Sequence, residues 1–216
     1  MVEQILNDSE IVAIYHEIEK MEVETGGWAY HNLTHVKNVA NLTEQLLRHL
    51  NQDEFFIEEV KVAALLHDIG SLDGKADHAQ RSYEYAKNYF KHHRLNLRHE
   101  KLILDAIKEH SNGFECNNLM TLVLILADKL DITNQRLAPA GYQIDGLNEI
   151  QYIDSIDVSI INGALYVHFI TQPDFNKESF EKFYFSKKVF QAIKSFSTKL
   201  NLNYHVKLNQ RAWDIK

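Results

Sequence analysis

The segment Val62-Ala63-Ala64-Leu65-Leu66-His67-Asp68-Ile69-Gly70 is the most informative part of this sequence. Five apolar residues lead directly into a histidine and an aspartate, and a glycine follows two residues later. The apolar run predicts the end of a helix that is buried nearly all round. A buried carboxylate is costly unless it is paired or bound to a metal. His67 and Asp68 are therefore candidates for chemistry.

A second apolar run ends in the same way. Leu122–Ala127 is followed by Asp128, which should emerge from another buried helix. A salt bridge at the edge of the core is the alternative interpretation of Asp128.

Histidine is enriched, with 12 in 216 residues. His31 and His35 are four residues apart, the spacing of one helix face. His78 and His110 lie near predicted helix ends, where an ordinary first-turn position or a favourable helix dipole is the alternative explanation. Imidazole and carboxylate ligands together suit borderline divalent metals.

Around these residues the pattern is mostly helical. Helical periodicity and capping residues predict helices over 9–24, from Asn32 or Thr34 to 50, after Asp53 to 66, after Asp77, over 98–110 and 118–130, and a last one over 177–200. β-branched and aromatic residues predict strands over 150–161 and 164–171, with Asn162-Gly163 as a type I′ turn between them, and a short strand over 203–208.

The predicted fold is mainly α. A helical domain over residues 1–137 is followed by a small α+β elaboration over 138–216, a hairpin plus a helix packed on the first part as one structural unit. The aromatic stripe of the last helix is predicted to be core rather than a ligand pocket. It consists of Phe180, Phe183, Phe190 and Phe196.

Composition narrows the classes of partner. The formal net charge of −7 argues against binding a nucleic-acid polymer. No apolar run is long enough for a membrane span, and no signal peptide is recognisable. The single cysteine, Cys116, forms no internal disulfide and lacks the basic surroundings of a nucleophile. We expect a cytoplasmic protein.

The order of His35, the pair His67-Asp68 and then Asp128 resembles the HD superfamily of metal-dependent phosphohydrolases. The resemblance spans residues 30–131 and includes the flanking residues of the doublet. It implies a helical core in which these four residues bind a divalent ion, with Mn, Fe, Mg, Ni, Co and Zn all open. Some members of the superfamily bind a second ion through two further histidines. By that resemblance the second pair of ligands would be His78 and His110, and Asp68 would bridge two ions.

The segment Tyr30-His31-Asn32, followed by His35, is similar to cyclic-nucleotide phosphodiesterases. That similarity implies that His31 is a general acid, and His31 and Asp68 are thus the predicted catalytic residues. The alternative is that His31 only orients a ligand or a water.

Phosphates need cations, and the predicted substrate-binding residues are Lys75, Arg81 and Lys129, each of which can instead be a solvated surface charge. Arg136 is a weaker candidate. Many family members have a lysine where this chain has Ser71. The Gly-Tyr-Pro signature of cyclic-di-guanylate phosphodiesterases and the Glu-Asp pair of guanosine tetraphosphate hydrolases are absent.

The sequence thus predicts hydrolysis of a small phosphate ester, with nucleotides among the candidates and a homodimer left open. Two other functions fit the residues. One is a di-iron oxygenase, as in the inositol oxygenase branch of this architecture, which uses the same ligand set. The other is a non-catalytic sensor that binds a metal or nucleotide.

Overall fold

The computed structural model describes residues 1–215, and the chain up to residue 130 is helical. A short helix at the N-terminus was not predicted, whereas the next six were. The helices of this part are α1 (Val2–Leu6), α2 (Ser9–Glu24), α3 (Leu33–His49), α4 (Glu54–Leu66), α5 (His78–His93), α6 (Glu100–Glu109) and α7 (Leu119–Leu130).

Four helices begin at a capping side chain, and the cap predicted at Asp53 is one of them. The side chains of Asp8, Asn32, Asp53 and Asn118 each accept a hydrogen bond from a backbone N–H of the first turn that follows. Asp77 differs, because it has a left-handed backbone (φ 54°) and its side chain caps nothing. Helix α5 thus begins after Asp77 as predicted, but the side chain of Asp77 does not accept the hydrogen bond of an N-cap.

Helices α4 and α7 form the centre of the helical part. Every residue of α7 from Met120 onward is buried, and α4 is buried from Val62 to Leu66. The helix α3 packs on both of them, and α6 covers their far side. Since α7 and the last turns of α4 are buried all round, the C-terminal ends of both helices lie deep in the molecule. Asp68 and Asp128, which lie at these ends, are therefore in the interior of the protein.

The remainder of the chain contains a four-stranded sheet in the order β1 (Ile153–Ile161), β2 (Ala164–Thr171), β3 (Asn203–Leu208) and β4 (Arg211–Ala212). The hairpin between β1 and β2 is confirmed, with positive φ at both Asn162 and Gly163, as a type I′ turn requires. β3 joins β2 in parallel, and β4, which was not predicted, pairs antiparallel with β3. β1 begins three residues later than predicted, because residues 150–152 belong to a 3₁₀ turn.

The predicted last helix is two helices. α8 (Lys177–Lys182) ends at Phe183, which has an extended backbone (ψ 136°), and α9 (Tyr184–Lys199) begins directly after it. α9 packs on α7 and on β3. Among the described residues, no helix combines the length and apolarity needed to cross a membrane.

Candidate metal centre and substrate cleft

Six side chains from five helical elements meet at one place, which we call the His/Asp floor. His35 lies in the first turn of α3, the pair His67-Asp68 follows α4, His78 begins α5, His110 follows α6, and Asp128 lies near the end of α7. All are buried except His78, whose side chain is 15% exposed. The structure thus brings together all six residues predicted as metal ligands. They are His35, His67, Asp68, His78, His110 and Asp128.

The floor divides into two groups that share Asp68. In one group, ligand atoms of His35, His67, Asp68 and Asp128 lie within 4.8 Å of one another, and in the other the same holds for Asp68, His78 and His110. The two carboxylate oxygens of Asp68 face different groups. Oδ2 is 3.4 Å from His35 Nε2 and 3.3 Å from His67 Nε2. Oδ1 is 3.3 Å from His78 Nε2 and 3.6 Å from His110 Nε2.

A hydrogen bond at Nδ1 orients each of the four imidazoles. The Nδ1 atoms of His67, His78 and His110 lie 2.7–2.8 Å from the backbone carbonyl three residues earlier. Because a carbonyl only accepts, each Nδ1 carries the proton and donates. His35 Nδ1 instead donates to Asp131 Oδ2 at 2.6 Å. Every ring consequently presents the Nε2 lone pair of its neutral form to the shared carboxylates.

The inward nitrogens lack partners of their own. His35 Nε2 and His67 Nε2 are buried without a hydrogen bond among the described residues. His78 Nε2 and His110 Nε2 lie 3.0 Å apart, so in the neutral rings two lone pairs face each other. A cation between these atoms removes both problems, and nitrogen and carboxylate oxygen are the donors that borderline divalent ions accept. The residues therefore fit divalent metal.

The electrostatics of the floor are those of a cation site. Burial by itself raises a carboxyl pKa, but Lys75 and His67 hold the pKa of Asp68 well below its usual range. Lys129 does the same for the pKa of Asp128. Burial opposes charge on His67, yet Asp68 and Asp128 outweigh it and raise its pKa to about 9. Negative charge is thus concentrated where protons or cations must gather.

Two carboxylates that the sequence analysis did not assign support the histidines. Asp131 accepts from His35 Nδ1 and, at 3.1 Å, from Asn38 Nδ2. Glu22 accepts from the backbone N–H of His31 at 2.8 Å, and its other oxygen lies 2.5 Å from His31 Nδ1. A signal for Glu22 was available, because Ile11, Tyr15, Ile18 and Glu22 share the buried face of α2.

The Glu22–His31 pair borders the floor rather than belonging to it. His31 is about one-fifth exposed and lines the cleft above Asp68. Burial raises the pKa of Glu22, and burial together with the cations of Lys75 and Arg136 lowers the pKa of His31 well below its usual range. Both shifts favour the neutral forms. Since Nδ1 is taken by Glu22, Nε2 is the ring nitrogen left for the cleft.

The floor opens into a cleft of about 480 Å³, within the usual range of small-molecule sites. Four cations line it, namely Lys75, Lys129, Arg136 and Lys188. Lys129 pairs with Asp128, and Lys75 lies 3.9 Å from Asp68 Oδ1. Arg136 is 7% exposed, and its NH1 atom has no hydrogen-bond partner among residues 1–215. Arg136, a weak candidate from sequence, is thus a buried cation at the cleft.

Arg81 is not placed with these cations. Its guanidinium donates to the backbone carbonyls of Gly70, Gly74 and Ala76, so it holds the loop between the His-Asp pair and α5. The predicted substrate contact at Arg81 is therefore corrected to a loop-stabilising role. Lys75 reaches back from this loop and donates to Ser71 Oγ at 3.1 Å.

Three comparisons with known proteins bear on this site. The model of the HD domain family matches residues 32–133. A solved structure from an uncultured Thermotogales bacterium, described as a predicted HD superfamily hydrolase, is 24% identical. The aligned region covers 57% of this chain and 67% of the other protein's chain, with a TM-score of 0.45. No curated protein matches the chain.

Proposed function

We propose that the protein, whose residues 32–133 match the model of the HD domain family, is a metal-dependent phosphohydrolase with a binuclear centre, acting on a small phosphate ester. One observation carries the proposal. Asp68 directs one oxygen to the group of His35, His67 and Asp128 and the other to the group of His78 and His110. A carboxylate placed in this way is suited to bridge two cations.

The donor set assigns the ligands. His35, His67, Asp68 and Asp128 would hold one divalent ion, and Asp68, His78 and His110 would hold the second. When bound, a pair of such ions supplies Lewis acidity to a phosphoryl oxygen and makes a water acidic enough to attack phosphorus.

The cations of the cleft hold the substrate phosphate. Lys75, Lys129, Arg136 and Lys188 line one cavity with the floor, and the chain as a whole carries a net charge of −7. Burial first, and then the nearby cation of Lys129, lower the pKa of Lys188 more than Asp128 raises it, so two ammonium groups are crowded here. A phosphate group relieves that crowding and is held next to the floor.

His31 supplies the proton that hydrolysis requires. As water forms a bond to phosphorus, the bond to the leaving oxygen breaks and that oxygen takes up a proton. A proton shared by the Glu22–His31 pair leaves Nε2–H directed to the cleft, whichever partner holds the proton between them. When Nε2 gives its proton to the leaving oxygen, Nδ1 can take the one from Glu22. Such general acid catalysis contributes about 10²- to 10⁴-fold to the rate.

The test is to strip the protein of metal, reload it with Mn²⁺, count ions per chain by elemental analysis and assay the same sample. The substrates are a phosphomonoester, a phosphodiester and a nucleotide panel. We expect about two ions per chain and turnover, both lost in Asp68→Ala. Glu59→Gln is the matched control, since Glu59 is a buried carboxylate that holds the start of α6 far from the cleft.

The other outcomes separate the alternatives. One ion with turnover would overturn the binuclear assignment and leave His78 and His110 as structural or substrate-binding residues. Two irons that consume dioxygen without releasing phosphate would replace the hydrolase by an oxygenase. A folded protein with neither metal nor turnover would overturn the proposal altogether.

A further inference from the structure

The cleft has a side that neither metal nor phosphate explains. Beyond the cations, its lining is apolar and includes Met21, Ile132, Leu147 and Ile150. Ion ligands and phosphate oxygens gain nothing from such side chains, because an anion loses hydration against an apolar surface. The lining therefore indicates that the ligand has an apolar part.

Aromatic side chains dominate this side. Trp28 and the consecutive Phe183, Tyr184 and Phe185 all line the cavity, and we call them the aromatic wall. Phe183 was expected to be core, as Phe180, Phe190 and Phe196 are. The side chain of Trp28 is 43% exposed and that of Tyr184 is 56% exposed, so neither is placed by core packing. Single exposed aromatics are ordinary. Four from two separate chain segments, bordering one cationic cleft, are a built surface. All four lie outside residues 32–133, which the HD family model matches.

The backbones beneath these rings are fixed. The carbonyl of Trp28 accepts from Ala138 N, and Gly141 packs so close that a Cβ there would lie 2.1 Å from that oxygen. On the other segment, Gly146 packs against the Cβ of Phe183 in the same way. Trp28 and Tyr184 are thus exposed, and Phe183 and Phe185 half-buried, on a rigid base, which limits the entropy lost when a ligand binds.

The wall meets the cations at one point. The ammonium of Lys129, which pairs with Asp128 on the floor, lies 6.0 Å from the centroid of the Phe185 ring. A ligand whose phosphate contacts Lys129 consequently has the aromatic wall within its reach. Flat π-faces stack best on a planar ring, and each stacked ring contributes appreciable affinity.

We infer that the aromatic wall is a subsite for a planar aromatic ring carried by the phosphate ester, as in a nucleoside monophosphate. This rests on the proposed function and adds the substrate class: a ring and a phosphate joined by a spacer such as ribose. It assigns Trp28 and Tyr184 as specificity-determining residues, since they contact the ring and not the reacting phosphorus.

Kinetics with two phosphates that differ only in the ring test the inference. Adenosine 5′-monophosphate and ribose 5-phosphate are assayed with the Mn²⁺-loaded wild-type protein, Tyr184→Ala and the control Tyr142→Ala, whose exposed tyrosine does not line the cleft. We expect Tyr184→Ala to lower kcat/KM for the nucleotide roughly tenfold and to leave ribose 5-phosphate and the metal content unchanged. Equal losses on both phosphates, or no loss on either, would overturn the subsite.

Fluorescence separates failure of the subsite from failure of the hydrolase. The chain has two tryptophans, and Trp213 is 3% exposed among aromatic side chains. We expect adenosine 5′-monophosphate to quench the emission saturably, and Trp28→Phe to remove that quenching. Quenching without hydrolysis of any phosphate would overturn the proposed function and retain the subsite. Hydrolysis of the nucleotide without quenching would overturn the subsite and retain the proposed function.

Discussion

The two sides of the cleft, the His/Asp floor and the aromatic wall, differ in burial and in what fixes them. Floor residues such as His67 and Asp68 are almost fully buried, and hydrogen bonds set every ring. On the wall, Trp28 and Tyr184 have rigid backbones and exposed rings. Buried, bonded groups suit a reaction that needs fixed geometry. Exposed rings on a fixed base suit recognition of a variable substrate. We therefore expect substitutions on the floor to change metal content and kcat. Substitutions on the wall should change KM for substrates that carry an aromatic ring.

The largest effect is expected from His67→Ala on the floor. It removes a fully buried imidazole, proposed as a metal ligand, whose Nε2 has no partner among the described residues. We expect activity on every phosphate to fall by more than about 100-fold, beyond the range for outer-shell residues, with a loss of bound metal. Metal content and kcat measured together check this. Full metal content in His67→Ala would break the distinction between floor and wall.

The second largest effect is expected from Glu22→Gln. We expect kcat to fall about 100-fold, which is the lower end of the range for general acid catalysis. A glutamine can keep both contacts to His31, with its amide donating to Nδ1 and its carbonyl accepting from the backbone N–H. It cannot pass a proton to Nδ1, so a relay is lost while the geometry stays.

The pH profile distinguishes a relay from a structural contact at Glu22. Burial raises the pKa of Glu22, so the pair holds its proton below that pKa and loses it as the pH rises through it. Wild-type kcat should therefore decline as the pH rises through the pKa of Glu22, which gives the pH profile an alkaline limb. The limb should be absent in Glu22→Gln, because an amide does not titrate. Unchanged kcat and an unchanged profile would assign Glu22 a structural role only.

Asp131→Asn should have an intermediate effect. Asp131 accepts from His35 Nδ1 and thereby orients a floor ligand without touching the shared carboxylate. Outer-shell partners of metal-bound histidines typically contribute about 10- to 100-fold to affinity, and we expect a loss in that range by competition with a chelator. Asn38→Ala, which removes only the second donor to Asp131, is the matched control and should have less effect.

The smallest effect on catalysis is expected from Gly146→Ala under the wall. At φ 81° an alanine is strained, and its Cβ would lie 2.7 Å from Ser179 O and 2.8 Å from Phe183 Cβ. We expect stability to fall by about 1 kcal/mol or more and KM for an aromatic phosphate to rise a few-fold. Metal content should not change. Thermal unfolding, KM and elemental analysis check the three statements, and loss of metal would show that wall and floor are coupled.

The sequence determined the features that depend on neighbouring residues. Apolar runs placed His67-Asp68 and Asp128 at the ends of buried helices, Asp53 gave the expected N-cap of α4, and Asn162-Gly163 gave the hairpin. These follow from periodicity and local turn chemistry, which need no knowledge of distant contacts. The six candidate ligands were readable for the same reason, because each lies at or near a helix end.

Tertiary structure alone decided the rest. It placed Asp131 beside His35, 96 residues away in the chain, and Glu22 beside His31. It also placed backbone carbonyls of a loop where the guanidinium of Arg81 donates to them. It also broke the last helix at Phe183 and set the exposed aromatic residues beside the cations. These contacts range from Arg81–Ala76, five residues apart, to His35–Asp131, 96 residues apart, and none of them follows a helix or strand period. They depend on how packed helices place side chains in three dimensions, and no local pattern encodes that placement.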